Sequence, residues 1–169
     1  MMGTVHDTAA EPDPLVTELY RGNFTRLVRL AALLGADDPE DVAQEAFARL
    51  HRRQRRLRDP QAALPYLRTT VCNLVRNRHR HLRVARLRAP AVRHEASSEQ
   101  MALIHEDHRE VLAALARLPA RQREALTLRY WHDLSEQEIA EAMGVSTGTV
   151  KTHTSRGIAA LTRTLEEGR

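Results

Sequence analysis

The sequence predicts an all-α protein of two small helical domains joined by a flexible linker, on three observations. Ala, Leu, Arg and Glu dominate the composition, and all four are good helix formers. Aromatic residues reach only 4%, fewer than a β-sandwich or barrel normally uses. Apolar residues recur at helical spacing along most of the chain, but the period fails in RAPAVRHEASSEQ, residues 88–100, which contains Pro90. A length of 169 residues accommodates one ordinary domain or two small ones.

Residues 1–14 are polar, carry Pro12 and Pro14, and read as a disordered lead. Leu15, Leu19, Phe24, Leu27, Val28, Leu30, Ala31 and Leu34 then mark a first helix, which Gly35 ends. Asp37 or Asp38 caps a second helix with Pro39 in its first turn, running to Asp59-Pro60. Pro60 and Pro65 bracket a loop, and a third helix follows Pro65 with Leu67, Val71, Leu74 and Val75 on one stripe. These elements define a first domain over 15–87 and a linker over 88–105. A second helical region opens near Met101, at the end of the linker, and is broken at Pro119; it leads into the second domain, 106–169, which adds three further helices.

The net charge is +4 and very unevenly distributed. No Asp or Glu occurs from Pro60 to His94, whereas Arg68, Arg76, Arg78, Arg80, Arg83, Arg86, Arg88 and Arg93 all fall there. Arg49, Arg52, Arg53, Arg55, Arg56 and Arg58 precede them. Lys151 is the sole lysine, so coding bias accounts for Arg over Lys, but not for the missing acids. Such asymmetry implies an anionic partner for the middle of the chain. Cys72 is alone and lies in an apolar helical pattern, which excludes an intramolecular disulfide and points to a small core residue. The N-terminus has no signal-peptide pattern and no segment is long and apolar enough to span a membrane, so the expected location is the cytoplasm.

The strongest local pattern runs from Leu134 to Leu161. Ser135 with Glu138 forms a capping box, and Ile139, Ala140 and Met143 give a narrow apolar face. Gly144 supplies a left-handed turn, Val145 plugs inward, and Ser146 caps the next helix. Val150, Ile158, Leu161 and Leu165 are expected on its inner side. Thr147, Gly148, Thr149, Lys151, Thr152, His153, Ser155 and Arg156 are left outward near its start. A helix-turn-helix presents that end of its second helix to base edges and phosphates.

DVAQEAFARL, Asp41 to Leu50, resembles the helix with which bacterial sigma factors grip core RNA polymerase. LPARQREALTLRYWHDLSEQEIAEAMGVSTGTVKTHTSRGIAAL, Leu118 to Leu161, resembles the C-terminal domain of the same proteins. Order, spacing and length resemble the extracytoplasmic-function (ECF) sigma factors of the sigma-70 family, in particular an actinobacterial SigE-like group. The resemblance implies a protein that binds core polymerase and directs initiation at promoters by recognising −35 and −10 elements.

It also implies residue roles. Asp41, Gln44, Glu45, Phe47 and Ala48 would meet the clamp helices of the polymerase β′ subunit. Arg58, Asp59, Gln61, Ala62, Tyr66, Asn73, Arg76 and Arg80 would hold the −10 element, whose non-template strand is read as single-stranded bases. Asn73 and Tyr66 offer the amide edge and ring that base capture needs. Arg78, Arg80 and Arg83 suit phosphates. Tyr66 replaces the Trp that is frequent in the family. Arg86, Arg88 and Arg93 would suit an RNA exit path. Arg129, Ser146, Thr147, Gly148, Thr149, Lys151, Thr152, Ser155 and Arg156 would read the −35 element. Tyr130, Trp131 and Leu134 would pack the domain or meet the polymerase β flap, core packing being the better reading of Trp131. An anti-sigma factor or similar regulator is a further implied partner.

Two other classes share some of these features. An autonomous LuxR-like regulator ends in a similar TVK-x-H helix, but residues 15–85 show no ligand-pocket or phosphoacceptor pattern. An enzyme is the second. His79 and His81 diverge on a helix, and His105 and His108 find no third ligand, so no metal site is expected. Phosphate loop, nucleophile elbow and carboxylate cluster are likewise missing from the sequence, and a non-enzyme without cofactors is expected.

Overall fold

The structure, a computed structural model, describes residues 13–88 and 108–168. Among these residues there are seven α-helices: α1 (Pro14–Leu33), α2 (Pro39–Arg53), α3 (Ala63–Arg88), α4 (Arg109–Arg117), α5 (Ala120–Tyr130), α6 (Glu136–Met143) and α7 (Thr147–Glu167). Short 3₁₀ segments at Gln54–Arg56 and Pro60–Ala62 connect α2 to α3. The expected disordered lead and linker fall, apart from their edges, outside the described residues, as does the helix start near Met101.

Local chemistry sets most boundaries. Asp13 caps α1 by accepting from the Leu15 N–H at 2.8 Å, so Asp13 and Pro14 belong to that helix and not to the lead. Gly35 follows α1 at φ +87°, a conformation that resists a side chain. Asp38 accepts from the Asp41 N–H and Pro39 opens α2. The second helix ends earlier than expected, because the Arg-rich stretch after Arg53 tightens into a 3₁₀ turn. The third begins earlier, because Pro65 sits in the first turn, where a missing N–H costs nothing.

The first three helices bury Leu27, Leu30, Val42, Leu50, Leu67 and Val71 almost completely. This core does not stop at the first domain. It continues through Leu128, Leu134, Ile139, Ala140 and Met143, so α3 packs against α6. A smaller cluster joins Leu33 of α1 to Leu112 and Leu115 of α4, Leu118 just after it, and Leu126 of α5. Inside the second domain α5 crosses α7 at Gly157, where a Cβ would lie 3.1 Å from Leu126 Cδ1. The two helical units therefore lie closed on one another.

Candidate nucleic-acid interface

The helix-turn-helix is built as its local sequence dictates. The Ser135 hydroxyl accepts from the Glu138 N–H at 3.2 Å, and the Glu138 carboxylate accepts from the Ser135 N–H at 2.8 Å. Gly144 adopts φ +67° between the helices. Ser146 accepts from the Thr149 N–H at 3.1 Å and starts α7. Val150 is fully buried, and Thr154 and Gly157 complete the inner side. Ile158, expected inside, is instead 42% exposed, because the buried seam runs 150–154–157 and turns it outward.

Ser146, Thr147, Gly148, Lys151, Thr152, Ser155 and Arg156 are exposed along one side of α7, with Thr149 and Arg129 half-buried beside them. Some of these groups already have local partners. Thr149 shares a 2.9 Å hydrogen bond with Ser146, and the Thr152 hydroxyl donates to the Gly148 carbonyl at 3.1 Å. Glu136, which the sequence reading missed, lies 3.7 Å from both Arg129 and Lys151. It holds the two cations side by side in an exposed pairing that a phosphate can displace. Trp131 is not in the core: it is 37% exposed, beside the more exposed Tyr130, while Leu134 is buried. The chain turns at Asp133 (φ 51°), which puts Leu134 inside and leaves the two rings at the rim.

The α2 set divides. Asp41 and Gln44 are exposed, and Glu45 and Ala48 half-buried, on one surface. Phe47 corrects the expectation: it is only 5% exposed, packed edge-on to Tyr20 at 5.0 Å and beside Phe24 at 6.3 Å. Its ring anchors α2 on α1. The acids on this surface are paired, Asp41 with Arg78 and Glu45 with Arg49 and Arg52. The Arg49 hydrogen bond holds the Glu45 carboxyl below its usual value.

In the connection before α3, Arg58, Asp59, Gln61 and Ala62 are all exposed. Asp59 is also structural, accepting from the Gln61 N–H at 2.9 Å. Tyr66 is half-buried under the Arg53 guanidinium, 5.5 Å from its ring centre. Arg49, Arg52, Arg53 and Arg56 line an open cleft of about 460 Å³ with it. Asn73, Asn77 and Arg80 are exposed along α3. Arg76 is not available in the same way. It hydrogen-bonds Asn73, donates to the Met143 carbonyl at 2.8 Å, and lies 3.7 Å from Glu124. Of Arg86 and Arg88 the structure places the backbone on α3; Arg93 lies outside the described residues.

His79 Nε2 lies 2.9 Å from the Gly35 carbonyl oxygen, which ties α3 to the end of α1. Among the described residues no cluster of His, Cys, Asp or Glu could hold a metal ion, and no helix is long and apolar enough to cross a membrane.

With this geometry in view, two families match the chain: sigma-70 region 2 over residues 19–84 and sigma-70 region 4 over residues 108–161. The RNA polymerase sigma-E factor of Streptomyces antibioticus is 33% identical over 88% of this chain and 83% of its own. The sigma-E factor of Streptomyces coelicolor is 31% identical over 85% and 82%. The ECF sigma factor SigM of Mycobacterium tuberculosis is 31% identical over 88% and 76%. In fold, the chain resembles CnrH, solved with the cytosolic domain of CnrY, at TM-score 0.67 and 22% identity over 91% of this chain and 89% of that one. It resembles equally the Bartonella quintana sigma factor RpoE, solved with the anti-sigma factor NepR, at TM-score 0.67 and 22% identity over 90% and 98%. The chain belongs to the sigma-70 family as an RNA polymerase sigma factor of the ECF type.

Proposed function

We propose that the chain binds core RNA polymerase through the α2 surface of Asp41, Gln44, Glu45 and Ala48 and positions it on promoters through two separate DNA contacts. The α7 side, Ser146 to Arg156 with Arg129, takes the duplex −35 element. The connection Arg58–Ala62 with Tyr66, Asn73, Arg76 and Arg80 takes the −10 element as it melts. The observation that carries this reading is the capped, glycine-turned pair α6–α7, which leaves a polar, cationic helix start exposed.

The chemistry divides between the two contacts. At α7, N–H groups, hydroxyls and Lys151 meet a preformed duplex, a contact that weakens with salt. At α3, a ring and an amide serve an unpaired base, while the guanidiniums around the Tyr66 cleft serve the strand's phosphates. The rim residues Tyr130 and Trp131 fit an apolar contact with the polymerase β flap. An anti-sigma protein is a further partner, by analogy with the solved relatives named above.

The test is in vitro transcription with core polymerase over a promoter library. The reading predicts discrete start sites with shared upstream and downstream elements, lost together with polymerase binding in Asp41→Arg. Random initiation, or unchanged polymerase binding by that variant, contradicts it.

A further inference from the structure

Glu136 stands apart from the other acids of the helix-turn-helix. Three glutamates lie on α6: Glu136, Glu138 and Glu141. Glu138 is taken up by the capping box with Ser135, and Glu141 accepts from the Gln137 amide at 3.3 Å. Glu136 instead turns toward the cations of the upstream contact. Its Oε1 lies 3.7 Å from Arg129 Nη1 and its Oε2 lies 3.7 Å from Lys151 Nζ. One carboxylate thus bridges a cation at the end of α5 to a cation in the second turn of α7, using a separate oxygen for each. The first helix of this motif crosses the phosphate backbone, where a carboxylate is repelled.

The position of this acid is fixed by local structure. Glu136 is the first residue of α6, so the capping box holds its backbone. The left-handed turn at Asp133 sets the loop that leads into it. On its far side Arg129 leans over the Tyr130 ring, 6.0 Å from the ring centre. Arg129, Glu136 and Lys151 together line an open cleft of about 320 Å³ between α5 and α7. A DNA phosphate that engages either cation therefore comes close to the Glu136 carboxylate.

We propose that Glu136 is a specificity-determining residue of the upstream contact, which holds Arg129 and Lys151 in one register and penalises duplexes that do not match it. The proposal rests on the reading of α7 as the −35 contact. Binding to unrelated DNA comes almost wholly from cation–phosphate pairs. A carboxylate set between two of those cations is an internal counterion, and it subtracts from that attraction on every sequence. On a matching element the base contacts of α7 fix the register. The two long side chains then arrive already oriented, and little rotamer freedom is left to lose. On an unrelated duplex the register slides, so the orientation gains nothing and the repulsion remains. Glu136 thus costs more on the wrong sequence than on the right one, which is discrimination by repulsion.

The test uses holoenzyme reconstituted with core polymerase. Closed complexes are compared on a promoter from the library and on the same duplex with its −35 element scrambled, across a salt series. Glu136→Gln is expected to tighten the scrambled duplex by about fivefold, with a salt slope steeper by about one ion, and the promoter by less than about twofold. Glu136→Asp keeps the charge on a side chain too short to bridge both cations. It is expected to keep the original salt slope and to lose about twofold on the promoter alone. Equal tightening of both duplexes by Glu136→Gln overturns the proposal, because charge then acts without regard to sequence. Weakening of both overturns it too, by making Glu136 a structural member of α6, and so does no change on either. Failure of the underlying reading looks different. In that case the original holoenzyme does not distinguish the two duplexes, and Lys151→Ala leaves both complexes unchanged. If Lys151→Ala weakens the promoter complex while Glu136→Gln shifts both duplexes equally, the α7 reading stands and the role of Glu136 falls.

Discussion

The two helices assigned to DNA are presented in opposite ways. On α7 the Lys151 side chain is 67% exposed and meets only Glu136 of its own unit, at 3.7 Å. On α3 the Arg76 side chain is 24% exposed and is held by groups from the other unit. The polar start of α7 is open to a partner as it stands, whereas Arg76 on α3 is already engaged. The difference follows from what each helix must bury. Residues 150, 154 and 157 satisfy α7 within its own unit, whereas α3 has two buried stripes and needs a neighbour for each.

The largest effect that could break this comparison is on folding. Leu67 is fully buried in the core that runs through both units. Leu67→Ala is expected to cost about 3 kcal/mol. With the two units packed on one another, that loss shifts one common transition, followed by far-ultraviolet circular dichroism. Two separate transitions, with only the first one moved, would show units that do not support each other.

A comparable effect is expected from pH. Burial pushes His132 down to about 4, with Arg26 and Arg68 adding to the shift, from an ordinary value of 6.5. In the unfolded chain the ring takes its proton near 6.5, in the folded chain only near 4. Between those values the unfolded state binds more protons, so stability falls as pH falls from 6.5 toward 4, by about 3 kcal/mol at most. Above 6.5 this group contributes no pH dependence. His132→Gln should flatten the slope between pH 6.5 and 4 in denaturant titrations; an unchanged slope would place the titrating group elsewhere.

Smaller effects sharpen the α7 side. Ser135→Ala removes half of the capping box and should lower stability by about 1 kcal/mol, read as a shift in urea midpoint. Lys151→Ala should weaken duplex promoter binding by a similar amount and reduce the salt-dependence slope by about one ion. If Lys151 reads a base and not a phosphate, the slope stays and sequence preference relaxes.

How legible each part was depends on how local its cause is. The capping box at Ser135 and Glu138, the turn at Gly144 and the cap at Ser146 each act within a few residues, and each stands where the sequence placed it. The cap at Asp38 and the break at Gly35 are of the same kind, whereas the cap at Asp13 falls where the sequence reads as a disordered lead. Phe47 is different: an amphipathic pattern marks its edge of α2 but does not say that Tyr20 and Phe24 cover it. Trp131 misled because apolar bulk normally goes inside, and here Asp133 redirects the chain two residues later. The Arg76–Met143 contact spans 67 residues and was illegible locally. The one available sign was the four-residue repeat of Arg68, Cys72 and Arg76 beside the apolar stripe.

The division of labour between the two helices is tested most directly on a single promoter, with closed complexes measured by mobility shift and open complexes by permanganate reactivity. The account predicts that Asn73→Ala keeps closed-complex affinity and loses open complexes by about tenfold or more, as expected for a lost contact to an unpaired base. It predicts that Lys151→Ala weakens the closed complex, while the complexes that do form open normally. Equal loss at both steps in both variants would contradict it.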